Sequence, residues 1–152
     1  MKRIFLLLST ILLVVACSSD NKIIGKWKHV TNKDGLTSVE VCNFIENNTE
    51  TCNEDFKIQI QNDLIETKYI ITQGWTLKGE KIIEKNIDAK IQSVSINGAS
   101  LLSTDGRYER VANIILSLHP RGESFSRRIK FSGDTFTLIS DDGKANEFNR
   151  LK

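Results

Sequence analysis

The chain has one proline, Pro120, and only two histidines, His29 and His119. A single proline, with no Gly- or Ser-rich stretch and no internal repeat, excludes a chain divided by linkers. Two isolated histidines, and no pair of ligand residues at a recognisable spacing, exclude the common zinc motifs. No Gly-x-Ser-x-Gly, HExxH or phosphate-cradling glycine loop occurs, and neither histidine sits in a local triad pattern. The expectation is therefore a protein that is not an enzyme and uses no metal or cofactor. Charge of one sign is missing as well: 21 basic residues face 19 acidic ones, and two of the basic ones are Lys2 and Arg3. The remainder balances, which leaves no electrostatic case for nucleic acid as a partner.

The first sixteen residues differ from the rest. Lys2 and Arg3 precede an apolar run from Ile4 to Val15, broken only by Ser9 and Thr10. Roughly a dozen residues suits a signal peptide and falls short of the ~20 that span a bilayer. The run ends in Val14-Val15-Ala16-Cys17, which resembles the lipobox of bacterial lipoproteins. The resemblance implies cleavage before Cys17, a diacylglycerol on its thiol, and acyl chains such as palmitate that anchor it stably. Ser18 and Ser19 follow the cysteine, without the aspartate that retains such proteins in the inner membrane of enteric bacteria. Residues 1–16 are then the signal peptide, 17–21 a lipidated N-terminus and short tether, and 22–152 one domain. The implied location is the cell envelope, on the outer membrane facing the periplasm.

Two-residue alternation dominates that domain, the mark of half-buried strands. Phe56, Ile58 and Ile60 share one face; Ile65, Thr67, Tyr69 and Ile71 share another; Ile83, Ile87, Ala89 and Ile91 a third; Phe125, Ile129 and Phe131 a fourth. Turn residues separate them, among them Glu46-Asn47-Asn48, Gln61-Asn62-Asp63 and Lys78-Gly79-Glu80. Evenly spaced turns predict sequential antiparallel hairpins: a mainly β meander of about eight or nine strands, curled into a barrel or half-barrel. Between about 104 and 118 the spacing becomes helical, through Tyr108, Val111, Ala112, Ile115 and Leu118. Ser103, Thr104 or Asp105 can cap that helix and Pro120 follows it, although a strand over Ala112–Leu118 is the alternative.

Cys42 and Cys52 are centred on residue 47, the middle of a turn. A hairpin folded there sets them opposite each other, which predicts a cross-strand disulfide. The acidic neighbours Glu40, Glu46, Glu50 and Glu54 disfavour the alternative, a redox-active dithiol.

Gly25-Lys26-Trp27 opens the domain and Arg150 nearly closes it. Together these positions resemble the signature of lipocalins and their calycin relatives, small lipocalin-like lipoproteins being the nearer comparison. The resemblance implies that Trp27 packs at the closed end of the barrel beneath Arg150, as structural residues. The helix before the last three strands departs from the lipocalin order. Parity places Arg127 on the face of Phe125, Ile129 and Phe131, and Lys85 on that of Ile83 and Ile87. An inward arginine must be paired, for instance with Glu54, or bind an anion such as a fatty-acid carboxylate. Arg127, Tyr69, Trp75, Phe56 and Phe131 are the candidate ligand residues. Two functions follow: a module for a small apolar or amphiphilic ligand, or an accessory protein binding another envelope protein as inhibitor, pilot or assembly factor. A cavity of roughly 300 Å³ or more favours the first; a packed interior with an exposed apolar patch favours the second.

Overall fold

The computed structural model describes residues 20–152. The signal peptide and Cys17 lie outside the described residues. A short helix α1 (Asp20–Ile23) leads into nine strands: β1 (Gly25–Lys33), β2 (Leu36–Ile45), β3 (Thr49–Ile60), β4 (Asp63–Lys78), β5 (Lys81–Ile96), β6 (Ala99–Ser100), β7 (Ser124–Ser132), β8 (Thr135–Ile139) and β9 (Ala145–Arg150). Helix α2 (Gly106–Leu118) lies between β6 and β7. The sheet runs β4-β3-β2-β1-β9-β8-β7-β5, and β4 also pairs with β5, so eight antiparallel strands close into a barrel. The two-residue β6 adds to the end of β5 outside that circuit. This is the lipocalin-like meander expected, with the helix where the spacing put it. The nine strands described and both core clusters lie within residues 20–152, and the β4–β5 pairing closes the barrel among them.

The turns show why the register is fixed. Ile45 pairs with Thr49 across Glu46-Asn47-Asn48, and Asn48 takes φ +62° while its N–H donates to the Ile45 carbonyl. Asparagine tolerates that left-handed geometry better than most residues, which suits a three-residue hairpin loop. Three pairs further along, Cys42 faces Cys52 with Cα atoms 4.0 Å apart, and the two form the predicted disulfide. Asp105 caps α2 by accepting a hydrogen bond from the Arg107 N–H at 2.8 Å.

One alternation is inverted. In the first half of β5 the buried residues are Ile82, Glu84 and Asn86, whereas Lys85 and Ile87 are exposed. Register shifts against β4 fall between Thr72 and Gln73 and between Lys68 and Tyr69. Each inserts one residue into β5, and a bulge reverses which side chains face inward. The expectation that Ile83, Ile87 and Lys85 point inward is therefore corrected: a buried carboxylate and amide occupy the inward positions.

The two ends of the barrel are unlike. The closed end gathers α1, the start of β1 and the end of β9, over a core of Ile23, Trp27, Phe44, Trp75, Ile82, Ile129, Phe136 and Phe148. Phe136 is its centre, edge-on to Trp27 at 4.6 Å and stacked on Phe148 at 4.8 Å. Such aromatic pairs add roughly 0.5–1.5 kcal/mol each beyond the area they bury. At the opposite end, β3, β4 and β5 run on past the rim. There α2 packs its inner face, Val111 and Ile115, against Phe56, Tyr69, Ile71 and Ile91.

Trp27 and Arg150 are register partners on β1 and β9. The Arg150 guanidinium lies 4.1 Å over the Trp27 ring and donates to the carbonyls of Ile24 and Lys22 at 3.0 and 2.6 Å. Trp27 in turn donates from Nε1 to the Ile23 carbonyl at 2.6 Å. Gly25 permits this closure: its φ is +128°, and a Cβ there would lie 2.8 Å from Arg150 Nη1. The three residues lock the closed end and take no part in the open one.

Candidate ligand cavity at the barrel mouth

Beneath the C-terminal end of α2 the barrel is hollow. A cavity of about 470 Å³ is lined by Glu40, Glu54, Ile71, Gln73, Phe125 and Arg127 from the strands. Leu118 and His119 border it from the helix end, and Ser140 and Asp141 from the β8–β9 turn.

The strands deliver these groups by simple alternation. On β2 the residues Ser38, Glu40, Cys42 and Phe44 fall on the interior face. On β3 the same face carries Glu50, Cys52, Glu54 and Phe56. Glu54 is fully partnered, accepting from the Ser38 hydroxyl at 2.6 Å and the Tyr69 hydroxyl at 2.5 Å. Burial, then the neighbouring Glu54 carboxylate, raises the pKa of the Tyr69 phenol, so it remains a donor. His119 packs 5.7 Å from the Tyr69 ring, and burial lowers its pKa, with Glu54 opposing.

Arg127 does face inward, as parity requires, and it is paired. Its Nε and Nη2 both donate to Glu84 Oε2, at 2.9 and 2.5 Å. The partner is Glu84, not Glu54, because the β5 bulges turn Glu84 into the barrel opposite β7. Glu84 itself is 1% exposed. Glu50 lies against this pair, also 1% exposed, with its Oε1 lacking any hydrogen-bond partner. Burial first, and the Glu84 charge second, push the Glu50 carboxyl well above its ordinary pKa. A proton held on Glu50 and shared with Glu84 accounts for the orphaned oxygen.

Glu40 is different. The atom near its Oε1 is Cys42 Sγ at 3.4 Å, which belongs to the disulfide and has no proton to donate. Burial, then repulsion from Glu54, raise its pKa to about 7, with Arg127 pulling the other way and Glu84 adding to the rise. It is a carboxyl group without a donor, facing the cavity.

The other sequence candidates lie elsewhere. Trp75 and Phe131 belong to the closed-end core, and Phe56 and Tyr69 pack under α2. Of the five, Arg127 alone lines the cavity. Glu40, Glu54, Gln73 and His119 carry no motif, but one signal could have found two of them. Glu40 and Glu54 stand two residues outside Cys42 and Cys52, so cysteines facing inward place both glutamates inward. Beside the cavity, α2 exposes Ile114 and Leu118 at 61% and 62%, above a shallow apolar groove of about 150 Å³ that includes Phe56, Ile58 and Ile115.

Among the described residues one group could bring three metal-binding side chains together, Glu40, Cys42 and Cys52. Both its sulfurs are consumed by the disulfide, so it does not fit a metal. The fold and the cavity define a small lipocalin-like barrel with an open, acidic mouth. No protein-family model matches the chain, and no curated protein matches it.

Proposed function

We propose that this protein is a lipid-anchored envelope lipoprotein whose barrel binds a small amphiphilic molecule. The observation that carries the reading is the cavity of about 470 Å³ at the mouth, within the ordinary range for small-molecule sites. Its lining is mixed, with Ile71, Phe125 and Leu118 beside a few polar groups, which is the usual composition of such sites. The lipobox Val14-Val15-Ala16-Cys17 supports the anchor. The chain enters the barrel through α1 at the closed end, three residues after Cys17. A lipid on Cys17 therefore sets the closed end toward the bilayer and the mouth away from it, on the side of the outer membrane that faces the periplasm.

Native mass spectrometry of residues 20–152 tests the reading. A copurifying small-molecule mass, lost on denaturation, is the expected result. Its absence, together with a reproducible envelope-protein partner, overturns it. That second outcome is the accessory-protein reading, which the exposed Ile114 and Leu118 face of α2 favours.

A further inference from the structure

The interior of the barrel holds more acid than base. Glu40, Glu50, Glu54 and Glu84 point into it, and the permanent cation set among them is Arg127. Arg127 is committed to Glu84 through two hydrogen bonds. Glu50 is sealed beneath the cavity against Glu84. The carboxyl groups left to the cavity are Glu40 and Glu54. Glu54 is held by two neutral hydroxyls and by no cation. Glu40 has no donor at all, its sulfur neighbour being bonded to Cys52. Asp141 adds a further carboxylate at the rim.

A site for a carboxylate-bearing ligand needs the reverse arrangement, a cation with nothing to neutralise it. An anion placed here would meet the Glu40 and Glu54 carboxylates, and the charge of the guanidinium in the wall, Arg127, is already matched by Glu84. A positive group, by contrast, supplies the missing charge and the missing donors together. A bare metal ion is poorly matched to a cavity of about 470 Å³ with Ile71, Phe125 and Leu118 in its wall. Those residues call for an apolar body attached to the cation.

We propose that the cavity binds an organic ammonium ion with an apolar portion, its N–H groups donating to Glu40 and Glu54 and its hydrocarbon lying against Ile71, Phe125 and Leu118. This rests on the reading of the barrel as a small-molecule module and names the ligand class. Arg127 then fixes Glu84 and makes no ligand contact. Amine binding also keeps Glu40 ionised, so affinity weakens as pH falls from 8 to 6. The charged or titratable groups around Glu40 are Glu54, Glu84, Arg127, Glu50, Tyr69, His119 and Asp141.

The test compares three probes of equal length, hexylamine, hexanol and hexanoate, titrated into residues 20–152 at pH 8 and followed by NMR. Saturable binding of hexylamine is expected, with shifts at Glu40, Ile71 and Leu118. Hexanol should bind at least about tenfold more weakly, the difference made by one charge-assisted hydrogen bond, and hexanoate more weakly still. The Glu40→Gln variant, which keeps the side-chain shape, should lower hexylamine affinity by about tenfold or more. Hexanol or hexanoate binding the same residues as tightly as hexylamine would overturn the cation preference and leave the small-molecule reading standing. Binding of none of the three removes both. Hexylamine affinity unchanged in Glu40→Gln refutes the role of Glu40.

Discussion

Replacing Glu40 by glutamine should change how stability depends on pH. In the folded protein the Glu40 carboxyl titrates near 7, against an ordinary value of 4.5, because burial and Glu54 disfavour its charged form. A raised folded-state pKa means that the native state holds the proton more tightly than the unfolded chain does. The stabilisation this represents is fully present below about pH 4.5 and disappears as pH rises through about 7. A shift of that size corresponds to at most roughly 3 kcal/mol. Glutamine cannot ionise, so Glu40→Gln should match the wild type at pH 4.5–5. By pH 8 it should exceed the wild type by up to that amount. Glu50 contributes a slope of the same sign to both proteins, weaker in the variant because the Glu40 charge is one of the groups that raise the Glu50 pKa. Urea denaturation at pH 5, 6, 7 and 8 measures this, read by the fluorescence of Trp27 and Trp75, both buried. A stability difference that stays flat across this range would refute the argument that Glu40 is an uncompensated acid inside the barrel.

Three further outcomes are open to simple tests. Arg150→Ala removes a cation–π contact and two hydrogen bonds to carbonyls, which should cost about 2–4 kcal/mol in urea denaturation. Because Arg150 lies at the closed end, hexylamine affinity should not change; a loss of affinity at full stability would show its role misplaced. Replacing Cys42 and Cys52 by serine opens a loop with a sequence separation of 10. This should lower stability by about 2–3 kcal/mol, and thiol titration of the oxidised wild-type domain should find neither cysteine free. Cys17→Ala should abolish incorporation of labelled palmitate in cells, and continued labelling would rule out the anchor.

The fold was legible because the information that specifies it is local. Alternation in β3, β4 and β7 follows the burial pattern, and turn residues such as Asn47-Asn48 sit where the chain reverses. The disulfide followed from the same symmetry, since a turn centred on residue 47 makes Cys42 and Cys52 opposite partners. The interior of β5 was not legible. Its apolar residues Ile83 and Ile87 suggested one face, but bulges set by pairing with β4 turned Ile82, Glu84 and Asn86 inward. Hydrophobicity ranks an isoleucine above a glutamate for burial unless a partner is known, and the partner, Arg127, lies 43 residues away. The cavity lining was legible at Arg127, and among the other ligand candidates it was missed for a related reason. Sequence criteria favoured aromatic residues as ligand contacts, yet Trp75 and Phe131 were needed to fill the closed end. The hollow was left to Ile71, Phe125 and Leu118 together with polar groups such as Glu40 and Gln73 that read individually as surface residues.

The division of the barrel into a packed end and an acidic end has a physical logic. An apolar core alone would suffice for stability, and a carboxyl group inside a barrel opposes it. Glu84 is compensated by Arg127, and Glu54 by two hydroxyls. Glu50 avoids charge by keeping its proton. Glu40 is the group for which the chain supplies no such remedy, and it is the one placed at the cavity surface. A hydrophobic replacement there would be the simpler solution for folding. Retaining an acid that destabilises the folded state above pH 7 is accounted for when a ligand brings the missing positive charge. A lipid on Cys17 would hold the opposite, sealed end at the bilayer, so that the charge arrives from the aqueous side.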